Sequence, residues 1–192
     1  MNRKTQIKTS LNIKKEQLRQ KYKQVRKKFH QACDTTTYAG TVFNNLKPLI
    51  KDTQTIAGYY PKDDEFDMRP ILEKLTNVCL PYLVLNHKQL QFKAWHVNDP
   101  LEPGPFNVLQ PVAAAPDVIP DVLLMPLIAV DRHGNRLGYG KGHYDFTIQH
   151  LKPILLIGVC YDIQVIDFVP NEDHDAVLDY IVTEKNLYKC KP

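Results

Sequence analysis

Apolar residues near the start of the chain recur with a helical period. Leu18, Tyr22, Val25 and Phe29 stand at i, i+4, i+7 and i+11, one stripe of a 3.6-residue helix. Lys15, Arg19, Lys23 and Arg26 form a second, cationic stripe beside it. The pattern begins at Lys14. Residues 1–13 keep no sustained period and read as a flexible basic leader to a single domain over 14–192. Residues 37–46 predict another helix, ending before Pro48. Residues 53–60 predict a strand stopped by Pro61, and 68–75 a short helix with Pro70 in its first turn. Further strands are expected over 78–85 and 90–95. Residues 98–121 hold six prolines and read as a long irregular connection. The apolar run over 121–130 predicts a strand buried on both faces. A glycine-rich loop follows, then a helix from about Tyr144 and strands over 154–159 and 180–183. Strands alternating with helices predict an α/β domain with a mostly parallel sheet.

Composition narrows the class. The longest apolar run has nine residues, 122–130, and is interrupted by Pro126. A spanning helix needs about 20, so no transmembrane segment is expected. The first 30 residues contain no apolar core of a secretory signal, which predicts a cytoplasmic protein. The four cysteines lie at least 30 residues apart, without metal or disulfide spacing. Charge is uneven. Residues 1–28 hold eleven Lys/Arg against one acid, Glu16, whereas the remaining residues sum to −6. A basic arm on an acidic body reads as a tail, a nucleic-acid arm or an anion site.

The segment D-R-H-G-N-R-L-G-Y-G-K-G-H-Y-D, residues 131–145, carries four of the eight glycines of the chain. Gly138, Gly140 and Gly142 permit sharp turns that bring backbone N–H groups close to an anion. Lys141 adds a point charge, Arg136 a planar fork suited to phosphate oxygens, and the next helix points its N-terminus back at the loop. The spacing is neither a Walker A loop, because Gly142 follows Lys141, nor G-x-G-x-x-G. A plain flexible turn needs fewer glycines and leaves both cations without a role.

The G-N-R-L-G-x-G-K-G-x-Y-D string resembles the signature of the 5-formyltetrahydrofolate cyclo-ligase family. Other segments agree in order: Lys15 to Arg19 with K-x-x-L-R, Asp64-Glu65 with an acidic turn, and Phe106-Asn107-Val108 with Gln110-Pro111. Val169-Pro170, His174-Asp175 and Asp179 follow, leading to Ile181-Val182-Thr183-Glu184. The resemblance implies a three-layer α/β/α domain of the NagB/RpiA/CoA-transferase-like fold. It also implies ATP-dependent conversion of 5-formyltetrahydrofolate, with or without a polyglutamate tail, to 5,10-methenyltetrahydrofolate by a monomer, with Mg²⁺ as cofactor.

Residue by residue, the resemblance implies that Lys15, Arg19, Arg136, Leu137, Gly138, Tyr139, Gly140, Lys141, Gly142, His143 and Tyr144 bind ATP. Lys141 and Arg136 are the implied catalytic cations. Tyr60 and Glu65, with residues 139–143, face the folate, and Asp145 and Asp175 hold the metal. Taken alone, Asp145 could complement a helix dipole and Asp175 could be a surface turn. Tyr139 stands at a variable position of the loop, and His143 replaces the usual aromatic ring. Two rivals remain: a nucleic-acid binder using the basic arm, which the acidic body opposes, and another α/β enzyme such as a sugar-phosphate isomerase or CoA transferase.

Overall fold

A computed structural model describes residues 3–34, 37–151 and 154–191, the first six by backbone alone. Helix α1 spans Arg3–Ala32. Residues 3–13, expected as a loose leader, are therefore helical; residues 1–2 lie outside the described ones. The stretch has no glycine or proline, and lengthening an already packed helix needs no new nucleus. The apolar stripe and part of the cationic one face inward, whereas Lys23 is exposed. Leu18 and Tyr22 pack on Ile128, Ala129, Leu137 and Val169, while Lys15 and Arg26 are themselves buried.

In chain order there follow α2 (Tyr38–Leu46), β1 (Ile56–Ala57), α3 (Arg69–Leu72), β2 (Val78–Tyr82), β3 (Gln91–Ala94), β4 (Leu101–Pro103) and β5 (Leu109–Pro111). Then come β6 (Val122–Met125), β7 (Ala129–Asp131), β8 (Arg136–Leu137), α4 (His143–Ile148), β9 (Leu155–Val159), β10 (Val165–Ile166), β11 (Tyr180–Val182) and β12 (Leu187–Lys189). The main sheet has the order β12-β11-β9-β6-β1-β2-β3. Its five inner strands run parallel, and antiparallel β12 and β3 close the edges.

Side chains alternate across the sheet as strand geometry requires. Ile56, Val122, Leu124, Ile157 and Val182 face a layer with Val42 and Leu46 of α2 and Ile71 and Leu72 of α3. Ala57, Leu123, Met125, Leu156 and Ile181 face the other side, where Tyr144 and Ile148 of α4 pack. The expected helix–sheet–helix layering is thus present.

Two expectations change in detail. The run over 121–130 is two strands, not one. Pro126 has no N–H for a ladder, so the chain leaves the main sheet after Met125 and enters a small sheet, β10-β7-β8, at Ala129. The proline-rich connection contains an antiparallel pair, β4 with β5, in the register Leu101↔Pro111. No described helix is long and apolar enough to cross a membrane. All four cysteines are free.

Candidate active site

The platform for the glycine loop is the β7–β8 turn. Asp131, fully buried, accepts hydrogen bonds from the backbone N–H groups of His133 (3.0 Å), Asn135 (3.1 Å) and Val169 (3.0 Å) and from the Asn135 amide. Gly134 has φ of 85°, and a Cβ there would lie 2.6 Å from the Leu178 carbonyl oxygen. The turn therefore has one shape, and it delivers β8 with Arg136 at the mouth of the loop.

Along residues 138–142 no backbone N–H donates to another described residue, so a row of amides is available to an anion. Gly140, with φ of 83°, passes under Arg19: a Cβ would sit 3.1 Å from the guanidinium carbon. Arg19 Nε in turn donates to the Gly138 carbonyl at 2.9 Å. Lys141 is exposed, with its ammonium 5.2 Å from the centre of the Phe106 ring. The Leu137 side chain is buried in the small core beneath α1, so only its backbone can serve a ligand. Helix α4 has six residues, too few for its dipole to dominate, and the anion-attracting charge comes from the side chains.

The other implied cations are engaged with carboxylates. Arg136 Nη2 donates to Asp145 Oδ1 at 2.6 Å, and the Ala176 N–H reaches the same oxygen at 3.0 Å. Lys15 Nζ lies 2.7 Å from Asp175 Oδ2 and 3.1 Å from Glu172 Oε2. Burial disfavours the charged form of Asp175, but the Lys15 contact and the Glu172 N–H outweigh it and hold the carboxyl below its ordinary range. Donor atoms of Glu172, His174 and Asp175 lie within 4.8 Å of one another. Asp145 is not in that group, but the Ala176 N–H ties it to the residue that follows Asp175.

On the opposite side of the loop stands the acidic turn. Glu65 is buried. Its Oε1 accepts the Tyr139 hydroxyl proton at 2.7 Å, and its Oε2 accepts the Lys62 N–H at 2.9 Å. Burial raises the Glu65 carboxyl above its ordinary range, with these two donors opposing the shift only in part. Tyr139 as a residue is 40% exposed, yet its hydroxyl also takes a bond from Arg26 Nη2 at 2.9 Å. Burial and the Glu65 charge raise its phenol.

Tyr60 lies beside this turn with the Arg69 guanidinium over its ring. Burial raises the Tyr144 phenol as well. His143 Nδ1 is 2.9 Å from the Lys88 carbonyl oxygen. With Lys141, Phe106, Lys88 and Leu85 it lines an adjoining cleft of about 460 Å³. Phe106, which lines it, and the next residue, Asn107, both have positive φ, of 63° and 56°. Two successive non-glycine residues in that region store strain beside the site.

Sequence reasoning assigned no role to Arg26, Glu172, Lys88 or Phe106. Arg26 was visible in the cationic stripe, and Glu172 precedes Asp175 by three residues, but neither spacing reveals the partner.

The family model described as the 5-formyltetrahydrofolate cyclo-ligase family matches residues 12–184. The chain belongs to that family. The 5-formyltetrahydrofolate cyclo-ligase of Escherichia coli is 31% identical over 153 residues, 74% of this chain and 84% of its own. That of Haemophilus influenzae is 30% identical over 183 residues, 86% and 95% of the two chains. In solved structures, the 5,10-methenyltetrahydrofolate synthetase of Aquifex aeolicus superposes with a TM-score of 0.77 at 28% identity, covering 93% of each chain. The Mycoplasma pneumoniae synthetase gives 0.66 at 22% identity over 88% of this chain and 98% of that one, a likeness of fold. The family assignment bears out the resemblance of the glycine-loop string.

Proposed function

We propose that the protein converts 5-formyltetrahydrofolate to 5,10-methenyltetrahydrofolate with consumption of ATP. The observation that carries the reading is the meeting of three elements: the cationic face of α1, an open row of loop amides, and a buried acidic turn linked to that loop through Tyr139. A formyl oxygen on an amide nitrogen is a poor leaving group. Transfer of the γ-phosphoryl group makes it phosphate; N10 then bonds to the formyl carbon, the carbon–oxygen bond breaks, and the N10 proton is lost. Such a reaction needs positioning and charge neutralisation rather than a protein nucleophile.

The loop amides and Lys141 receive the transferring phosphoryl group. Arg136 holds the loop to Asp145 and the segment at Ala176, and Arg19 fixes its crest. Lys15 exchanges Asp175 and Glu172 for polyphosphate when ATP binds. Glu65 accepts N–H donors from the pterin edge, with Tyr60 and His143 beside it.

Asp145 and Asp175 would hold a magnesium ion, with Glu172 and His174 grouped beside Asp175 as further donors. Each aspartate commits one oxygen to protein donors and keeps a second for a hard cation. When bound, magnesium neutralises phosphate charge. Four free thiols suit a reducing compartment, and we place the enzyme in the cytoplasm as a monomer, the latter following the family resemblance.

The test is coupled release of ADP. It should require 5-formyltetrahydrofolate, and ADP formed equally without it would overturn the reading. In the same assay Asp145→Asn and Asp175→Asn should each raise the magnesium concentration for half-maximal rate by about tenfold, the scale of one lost charged contact. An unchanged magnesium midpoint in both variants would make them structural acids.

A further inference from the structure

Arg26 is the largest fully buried side chain of the protein among the described residues, at 2% exposure. A buried guanidinium is costly unless its donors are satisfied. Here Nε donates to Asp64 Oδ2 at 3.0 Å, Nη1 to the Leu127 carbonyl at 3.2 Å, and Nη2 to the Tyr139 hydroxyl oxygen at 2.9 Å. One side chain of α1 thus ties together the acidic turn, the link between β6 and β7, and the glycine loop. The direction of the bonds matters. An arginine can only donate, so the Tyr139 oxygen is the acceptor and its proton is left for Glu65 Oε1, 2.7 Å away.

We infer that Arg26 is a positioning residue for the folate site: acting through Tyr139, it orients the hydroxyl proton onto Glu65 and so fixes that carboxylate as an acceptor. The inference rests on the reading that Glu65 contacts folate. It gives Tyr139, at a variable position of the loop, a defined task. It also explains why Asp64 and Glu65 have different fates. Asp64 is the counter-ion that keeps Arg26 in place, and Glu65 is the carboxylate presented to ligand.

The relay has a pH signature. Charged and titratable groups around Glu65 are Arg26 from α1, Tyr139 from the loop, Tyr144 from α4, and Tyr59, Asp63 and Asp64 from its own segment. Burial and Asp63 favour the protonated carboxyl, whereas Tyr139, the Lys62 N–H and Arg26 favour the ionised one. Removing the Tyr139 hydroxyl takes away a bond to the ionised form, so Glu65 should protonate at higher pH. A protonated Glu65 loses an acceptor, and folate binding should weaken as pH falls.

The test measures KM for 5-formyltetrahydrofolate and for ATP between pH 6 and 8 in the wild type, Tyr139→Phe, Arg26→Lys, the double variant and Glu65→Gln. Tyr139→Phe should raise the folate KM about tenfold, more at pH 6 than at pH 8, and by several times more than it raises the ATP KM. The double variant should be no worse than the poorer single one, because the two residues act in series. An unchanged folate KM in Tyr139→Phe, losses that multiply, or an equal rise in the ATP KM would overturn the relay. If Arg26→Lys does not fold, Asp64→Asn, which weakens the counter-ion that holds Arg26 in place, replaces it in the same comparison, and an unchanged folate KM there would overturn the role of Arg26. A normal folate KM in Glu65→Gln would instead remove Glu65 from the folate site, and the relay with it.

Discussion

Replacing Lys141 by alanine is expected to slow turnover by about 10²–10³, the scale for removing one preorganised electrostatic donor. The side chain is exposed and makes one ring contact, with Phe106. Such a contact is worth about 0.5–1 kcal/mol at an exposed site, so the variant should fold with nearly unchanged stability. Lys141→Arg should restore part of the rate, because it keeps the charge but alters reach and geometry. The check is kcat at saturating ATP and folate alongside a urea unfolding curve. A folded alanine variant with near-normal kcat would take Lys141 out of the mechanism.

The largest effect on stability is expected at Asp131, outside the chemistry. In Asp131→Ala the N–H groups of His133, Asn135 and Val169 and the Asn135 amide lose their acceptor at a fully buried position. An unsatisfied buried donor costs about 1–3 kcal/mol, so a loss of about 4 kcal/mol is expected. That is a large share of a total of roughly 5–15 kcal/mol. The urea midpoint should fall sharply with little change in slope. Because the same turn aims Arg136 and the loop, activity should fail well below the temperature at which wild type unfolds. A midpoint near that of wild type would show that water or a rearranged turn satisfies those donors.

The contrast between these two positions shows what the sequence could reveal. Lys141 lies within a short glycine-rich string, where local spacing implies an anion site. The cationic stripe of α1 was equally legible, because a helical period places Lys15, Arg19, Lys23 and Arg26 on one side. What periodicity does not reveal is which partner that side meets. Arg26 finds Asp64, Leu127 and Tyr139 at separations of 38, 101 and 113 residues, and only the assembled sheet brings them together.

The break at Pro126 was visible as a residue, but the apolar run on both sides looked continuous because both halves are buried. Residues 3–13 misled for the opposite reason. A mostly polar stretch can still be helical where it extends a helix that packs further along the chain. Ile13, 54% exposed, marks its outward side. The short strand β10 pairs with only two residues of β7, Val130 and Asp131, too little for a pattern of period two to register.

Ring closure can be followed directly in a cuvette. Purified protein is mixed with 5-formyltetrahydrofolate, with and without magnesium ATP, and the near-ultraviolet absorption is followed. The band of the methenyl product should grow only when ATP is present, at a rate proportional to enzyme. A band that grows without ATP, or none with it from folded protein, would exclude ATP-dependent ring closure by this protein.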